Sequence, residues 1–408
     1  MEARSDRSEW LALVTEPVLE PDLPICDAHH HLWLDNGHSG FPYPVPSFHA
    51  DTGSGHNVVR SVFLECNAEY YTDGPEHLRP VGETAFVAAC AAEARRAGGT
   101  EIAAIMGHAD VMLGDGVEEV LNAHAAVGEG LFRGIRYIVA WDADPKLRMR
   151  VPEGTLADET FRAGVRTVGR LGYTFDTMVY HPQLPELTAM ARACPDTTIV
   201  ADHLCAPLGV GPYLNRRDEV LVQWRRDMTE LASCPNVRLK LGGIGMPMYG
   251  LRWDKGELPP TSEQLAAPWR DEFLHLIDAF GPDRCLFESN FPMDKRGCSY
   301  LVLWNTFKRI AADFSAAEKL ELFHDTAART YRTARLRVCR IEPERLGQAG
   351  QGQGVDLGVD PGVEDGSSPG QRSCGMTSAA KRRMASRRPS RPPRAAQNTT
   401  VWVTPRSA

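Results

Sequence analysis

The chain has 408 residues, of which 43% are hydrophobic, and a formal net charge of −8 at neutral pH. This charge argues against general nucleic-acid binding, and no apolar run reaches the roughly 18 residues that a membrane-spanning helix needs. The polar N-terminus predicts no secretory signal, and the ten cysteines are scattered without a Cys-x-x-Cys pair, so we expect a cytoplasmic protein with reduced cysteines and no disulfide framework.

The first predicted strand, residues 25–33, contains three consecutive histidines. Alternate residues of a strand share a face, so we expect Asp27, His29 and His31 on one face and the residues between them on the other. Two imidazoles at positions i and i+2 can meet one metal ion or one substrate. A His-rich surface turn is the alternative interpretation.

Strands and helices then alternate along the chain. Residues 35–57 look irregular, and their aromatic residues favour a packed loop near a site. Further strands are predicted at residues 58–66, 102–106, 132–139, 177–181, 197–203, 237–241 and 284–290, and helices at 83–98, 116–127, 158–171, 184–194, 217–233, 269–280, 300–314 and 316–330.

This alternation indicates parallel strands joined by crossover helices. Eight such units favour a (β/α)8 TIM barrel, with an open doubly wound sheet as the alternative. No Gly-x-Gly-x-x-Gly follows an early strand, which weakens a dinucleotide-binding version.

Three segments are predicted: an N-terminal arm at residues 1–23, the barrel at 24–340 and a disordered low-complexity tail at 341–408. The tail lacks apolar periodicity and contains a basic run at residues 381–394. The basic run could bind nucleic acid or act as a localisation signal, and a solvated extension without a function is the alternative.

Polar residues recur where the predicted strands end, which is where TIM barrels build their active sites. A histidine in an apolar run is usually a hydrogen-bonded core residue, but histidines at equivalent places in a repeating pattern point to one shared site. The residues concerned are His29, His31, Glu65, His181, His203, Lys240, Glu288 and Asn290, with Arg133 and Arg136 in the fourth strand and His108 after the third.

Over residues 24–334 the chain resembles the amidohydrolase-related branch of the metal-dependent hydrolase superfamily. These TIM barrels include sugar and aromatic lactonases and zinc-dependent decarboxylases. The most specific motif is Asp27-Ala-His29-His-His31-Leu-Trp33. The others are Phe132-Arg-Gly-Ile-Arg136, Tyr180-His181-Pro182, Asp202-His203-Leu204, Lys240-Leu241-Gly242 and Glu288-Ser-Asn290-Phe-Pro292.

The resemblance implies a divalent metal, zinc in the first place, held by His29, His31 and His181. It makes His203 a further ligand or the catalytic acid/base. Three protein ligands with one open position are the usual catalytic zinc arrangement, and a metal-bound water can attack a carbonyl near pH 7. Some lactonases of the family are thought to work without metal.

Asn290 departs from the family pattern, in which the eighth strand usually ends in Ser-Asp. An amide cannot accept a proton at neutral pH, so Glu288, two residues earlier, is the candidate replacement, with Glu65 in support. Catalysis is therefore assigned to His203, Glu288 and Asn290. The alternative for Glu288 is a structural ion pair with Arg136 or Lys240.

Arg136, Lys240 and Glu65 are assigned to substrate binding, because cationic side chains can hold a substrate carboxylate or an oxyanion. Arg133 and Arg136 are expected on opposite sides of the strand, with Arg136 inward. The resemblance implies a hydrolase for a small carboxylated lactone. The alternatives are a non-oxidative decarboxylase and a degenerate barrel that only binds a small molecule. We expect a small-molecule substrate and no nucleic-acid or membrane partner for the barrel, and a homo-oligomer stays open.

Overall fold

Eight parallel strands form one sheet in which each strand pairs with the next along the chain. The computed structural model describes residues 7–35, 40–149 and 151–333. The strands are β1 Ile25–His30, β2 Val58–Leu64, β3 Glu101–Gly107, β4 Phe132–Ile138, β5 Thr174–Met178, β6 Ile199–Ala201, β7 Val237–Leu241 and β8 Cys285–Phe287.

The sheet closes where the segment after β8 meets β1. The amide of Asn290 donates to the carbonyl of His29 at 2.8 Å, and the amide of His31 donates to the carbonyl of Phe291 at 2.8 Å. The predicted (β/α)8 barrel is therefore confirmed.

Helices cover the outside of the barrel, and six of the eight predicted helices lie within two residues of their predicted bounds. They are α1 Ser8–Leu11, α2 Val45–Thr52, α3 Val81–Ala97, α4 Val117–Val127, α5 Glu159–Arg170, α6 Leu184–Ala193, α7 Arg217–Ala232, α8 Ser262–Ala266, α9 Arg270–Phe280, α10 Tyr300–Ile310, α11 Ala316–Leu320 and α12 Thr326–Thr330. Within the described ranges, no helix is long and apolar enough to cross a membrane. The eight cysteines in these ranges are all free and buried.

Two helical predictions were wrong in detail. Residues 35–57 are not irregular throughout, because α2 lies among them and buries Val45 and Phe48. Its sequence contains Pro, Ser, Asp and Thr, which are weak helix formers. The single helix predicted at 316–330 is interrupted by a π-helical turn at Glu321–Asp325.

The alternation predicted for β1 is broken by a register shift. Three residue steps on β1, from Asp27 to His30, face two on β2, from Ser61 to Phe63, as in a β-bulge. Cys26 and Ala28 therefore pack in the barrel interior, whereas Asp27 turns outward and accepts a hydrogen bond from Tyr300 of α10 at 3.0 Å.

The same shift separates the three consecutive histidines. His30 faces outward, and its ring stacks on that of Phe48 at 4.4 Å. His29 and His31 point inward, and their Nε2 atoms are 3.2 Å apart. The prediction that Asp27 shares their face was wrong, because the extra residue reverses the alternation between Asp27 and His29.

The N-terminal residues pack along α8 and α10. Glu16 accepts hydrogen bonds from the Ser262 amide at 2.6 Å and from Asn305 Nδ2 at 3.0 Å, and Lys308 Nζ donates to the Leu19 carbonyl at 2.9 Å. The predicted barrel end at residue 340 and the predicted tail at 341–408 lie outside the described residues.

Removal of residues 341–408 should leave the thermal midpoint unchanged, because the described strands and helices end at Thr330. Removal from Thr326 onward should lower it sharply, since Tyr331 then no longer donates to the buried Asp176 at 2.6 Å. Thermal unfolding of the two shortened chains measures the difference. A large loss in the chain ending at Arg340 would contradict the assignment of the tail.

Candidate active site

Nine buried polar side chains meet inside the barrel toward the carboxyl ends of its strands. None is more than 5% exposed. We call this group the central cluster, and its members are His29, His31, Glu65, Arg136, Asp176, Asp202, His203, Lys240 and Glu288.

Lys240 of β7 is the hub of the central cluster. Its Nζ lies 2.7 Å from Asp176 Oδ2, 2.9 Å from Asp202 Oδ1 and 3.3 Å from His29 Nδ1. Burial lowers the pKa of Lys240, but the two carboxylates outweigh it and the net pKa is raised. Lys240 is therefore a permanent cation and not a nucleophilic amine.

Arg136 of β4 is also paired within the central cluster. Its Nε donates to Glu65 Oε1 at 3.0 Å, and a second guanidinium nitrogen donates to the Glu65 carbonyl. Its Nη1 lies 3.1 Å from His29 Nε2 and 3.8 Å from Asp202 Oδ2. Arg136 points inward, as expected, while Arg133 donates to the carbonyl of Gly130 near the opposite end of the strand.

His29 and His31 direct one nitrogen each toward the same point. His31 Nδ1 donates to the Leu64 carbonyl at 2.8 Å, and His29 Nδ1 lies 2.9 Å from Glu288 Oε2. Burial lowers the pKa of both histidines well below the ordinary range, with further lowering of His29 by Lys240 and of His31 by Arg136. Both are therefore neutral, and each keeps a lone pair on Nε2.

His203 is fixed by Glu288 and by a strained backbone. Its Nδ1 donates to Glu288 Oε1 at 2.6 Å. Residues 203–206 all have left-handed φ values, between 38° and 59°, which is costly for residues with a side chain. Trp224 Nε1 donates to the Leu204 carbonyl at 2.8 Å and Tyr249 OH donates to the His203 carbonyl at 2.9 Å, so side chains from two other elements hold the turn.

The donor atoms of the central cluster fit a divalent metal ion. Ligand atoms of His29, Asp202 and His203 lie within 4.8 Å of one another. The 3.2 Å between the Nε2 atoms of His29 and His31 matches the edge of about 3.3 Å expected for tetrahedral zinc with bonds of about 2.0 Å. Asp202 Oδ1 faces Lys240 Nζ at 2.9 Å, whereas Asp202 Oδ2, 3.8 Å from Arg136 Nη1, is buried without a hydrogen bond. Arg136 Nη1, 3.1 Å from His29 Nε2, is the group that competes with an ion for that nitrogen.

The charges of the central cluster also favour a bound divalent metal ion. Four carboxylates, those of Glu65, Asp176, Asp202 and Glu288, face only two cations, Arg136 and Lys240. With all four ionised and the histidines neutral, the excess is two negative charges. A divalent cation would neutralise it, and buried charges are stable only when they are compensated.

Two predicted site residues, His181 and Asn290, lie outside the central cluster. His181 accepts a hydrogen bond from the Leu208 amide at 3.3 Å, and its ring meets that of Tyr213 edge-on at 4.7 Å. Within the described residues, the His181 side chain makes no hydrogen bond, ion pair or ring contact with the central cluster. Its role as a metal ligand therefore stays a prediction. Asn290 donates from Nδ2 to Asp294 Oδ1 at 2.9 Å, beside the barrel seam.

A family model for amidohydrolases matches residues 26–333. The chain belongs to the amidohydrolase family. It is 32% identical over 331 residues to the uncharacterized protein y4mH of Sinorhizobium fredii, covering 76% of this chain and 99% of that one. It is 27% identical over 323 residues to an L-fucono-1,5-lactonase of Burkholderia multivorans, with 75% and 95% covered.

A solved structure supports the same fold assignment. An amidohydrolase from Burkholderia multivorans with bound zinc superposes with a TM-score of 0.60 at 25% identity, covering 76% of this chain and 99% of that one. Membership of the family that the sequence motifs indicated is thus confirmed, and the general activity is that of a hydrolase on the amidohydrolase barrel.

Three carboxylates of this amidohydrolase site were not selected from the sequence. Asp176 was missed because the fifth strand was predicted at 177–181, three residues later than β5, on the strength of the apolar run that begins at Met178. Asp202 stands in the motif with His203, and only the histidine was selected. Asp294 lies four residues after Asn290, and that spacing matters only because the chain turns there, with the Asp294 amide donating to the Asn290 carbonyl.

Glu288→Gln should lower the rate per folded molecule by about 10²–10⁴-fold, the usual contribution of acid/base catalysis. Glu288 places one oxygen on each of His203 and His29, whereas glutamine keeps only one acceptor, so one histidine must lose its partner. The rate of substrate hydrolysis and the thermal midpoint are measured on the same variant. Glu272→Gln, which weakens the ion pair of the buried Glu272 with the half-exposed Arg225 on the outer helices, is the control for a stability change away from the site. Near-normal turnover with a lowered midpoint would make Glu288 a structural partner only.

Proposed function

We propose that this amidohydrolase is a lactonase that opens a neutral, polyhydroxylated sugar-acid lactone, with a divalent ion, zinc in the first place, at His29, His31 and Asp202. The observation that carries the proposal is the charge of the central cluster. Its two cations are already held in internal ion pairs, and the two carboxylates in excess would be balanced by the divalent ion, so no cation is left for an anionic substrate.

The pairing of both cations within the central cluster argues against an anionic substrate. The sequence suggested that Arg136 and Lys240 bind a substrate carboxylate, which requires a free cation. Arg136 is engaged by Glu65, and Lys240 by Asp176 and Asp202. With a divalent ion bound the excess charge is balanced, so what disfavours a substrate carboxylate is the lack of a free cation to pair with it. The same reasoning disfavours a decarboxylase, whose substrate must carry a carboxylate.

The relatives support a lactone substrate. Two sequence relatives, at 27% and 25% identity, are L-fucono-1,5-lactonases from two Burkholderia species. A sugar 1,5-lactone is uncharged, and its hydroxyl groups can hydrogen bond to carboxylates. The structural relative that holds zinc is 25% identical, which supports the proposed metal.

In the proposed reaction, water forms a bond to the lactone carbonyl carbon, and the ring C–O bond breaks to give a hydroxy acid. His203, with Nδ1 held by Glu288, takes the proton of the water on Nε2 and returns it to the departing ring oxygen. The Arg136 guanidinium stabilises negative charge that develops on the carbonyl oxygen. A bound divalent ion would add Lewis-acid polarisation of the carbonyl.

A pair of lactones matched in ring size tests the substrate. We expect hydrolysis of a neutral 1,5-aldonolactone, with kcat/KM at least about tenfold higher than for a 1,5-lactone that carries an additional carboxylate. Ring opening is followed by acid release in weakly buffered solution, corrected for spontaneous hydrolysis. A preference for the charged lactone would contradict the charge argument. Carbon dioxide release from an aromatic acid, without lactone hydrolysis, would replace the hydrolase by the decarboxylase.

Two histidine variants test the metal site. We expect about one equivalent of divalent metal in the purified protein, and His31→Ala should lower zinc affinity about 10-fold or more, since it removes one nitrogen of the 3.2 Å pair. His181→Ala should retain the metal, because His181 contacts Leu208 and Tyr213 instead. Zinc titration with a competing chelator measures both. Equal losses would restore His181 to the ligand set, and unchanged affinity in His31→Ala would remove the pair from it.

A further inference from the structure

The loop after β8 contains a buried carboxylate that the proposed reaction does not use. Asp294 is 0% exposed. Its Oδ1 accepts a hydrogen bond from Asn290 Nδ2 at 2.9 Å, and its Oδ2 accepts one from the Gly245 amide at 2.8 Å. Asp294 therefore joins the loops that follow β7 and β8.

Asn290 lies beside the central cluster and is held from three directions. Its amide donates to the carbonyl of His29, and its own carbonyl accepts from the Asp294 amide at 3.2 Å. Its φ is +55°, a left-handed conformation that asparagine and aspartate tolerate better than most residues. The backbone thus favours Gly, Asn or Asp at this position, and the neighbouring Asp294 influences which of the two polar residues is stable there.

The hydrogen bonds of Asp294 favour asparagine over aspartate at position 290. Burial raises the pKa of Asp294 to about 7, and above that pH its ionised carboxylate only accepts hydrogen bonds. The amide of Asn290 then turns its NH2 group toward Asp294, as the 2.9 Å contact has it, and its oxygen away. No described residue donates to that oxygen, which leaves it as an acceptor for a ligand. A carboxylate at position 290 would instead place two buried anions about 2.9 Å apart, which is strongly unfavourable.

We propose that Asp294 is a positioning residue that fixes the amide plane of Asn290, so that Asn290 Oδ1 faces the reacting lactone as a hydrogen-bond acceptor. The inference rests on the proposed function for its substrate and on the geometry for the pairing itself. It also accounts for the amide at position 290, because the carboxylate of this segment is one turn later and satisfies both Asn290 and Gly245.

A residue swap tests the pairing. Asp294→Asn leaves one acceptor for two donors, and Asn290→Asp creates the facing carboxylates, so each single variant should lower the thermal midpoint. In the double variant, Asn290→Asp with Asp294→Asn, the new amide can donate to position 290 and accept from the Gly245 amide. We expect this swap to recover most of the midpoint lost by either single variant. Additive losses would overturn the pairing.

The positioning role needs a measurement that stability alone does not change. At about pH 8, where carboxylates are ionised, Asp294→Asn should lower kcat about tenfold or more with a smaller change in KM, because a misplaced group costs rate more than binding. Glu272→Gln, which weakens an ion pair on the outer helices, should keep the wild-type kcat. Equal kcat in Asp294→Asn and Glu272→Gln would reduce Asp294 to a structural residue. If the wild-type protein hydrolyses no lactone, the proposed function fails, and the midpoints of the swap still decide the pairing.

Discussion

The arrangement inside the barrel depends on the charge of Lys240. An ammonium group with no exposed surface is tolerated only when carboxylates surround it, and Asp176 and Asp202 lie within 3 Å of Nζ. These three residues come from the neighbouring strands β5, β6 and β7, so one ion-pair network ties the strands together at the base of the site. Tyr331, after α12, completes it by donating to Asp176.

The same network determines the state of His29. Lys240 and Arg136 lie on either side of the imidazole, at 3.3 Å and 3.1 Å from its two nitrogens. A positive charge on the ring would face both cations, which is one reason why the pKa of His29 is low. A neutral imidazole can bind a metal ion or accept a proton. The network beneath the site therefore produces the chemical property that a catalytic histidine pair requires.

The sequence predicted the fold better than the orientation of individual side chains. Strand and helix alternation requires only the hydrophobic period, and β7 was predicted with its observed bounds, Val237–Leu241. The register shift in β1 could not be predicted, because it arises from pairing with β2 and does not alter the order of apolar and polar residues in the sequence. The surroundings of His181 depend on Leu208 and Tyr213, in the loop after β6, and loop conformation is not encoded in a periodicity.

Asn290 shows why one position is a poor guide to the charge of a site. Judged alone, the amide suggested a lost base or ligand and a degenerate barrel. The structure shows other carboxylates in the same part of the barrel: Glu288 lies two residues earlier, Asp202 directly follows β6, and Asp294 contacts the amide directly. Within a low-dielectric interior, one more carboxylate would add repulsion and not catalytic power. The amide is therefore what a site with excess negative charge requires at this position, and its presence is consistent with a working hydrolase.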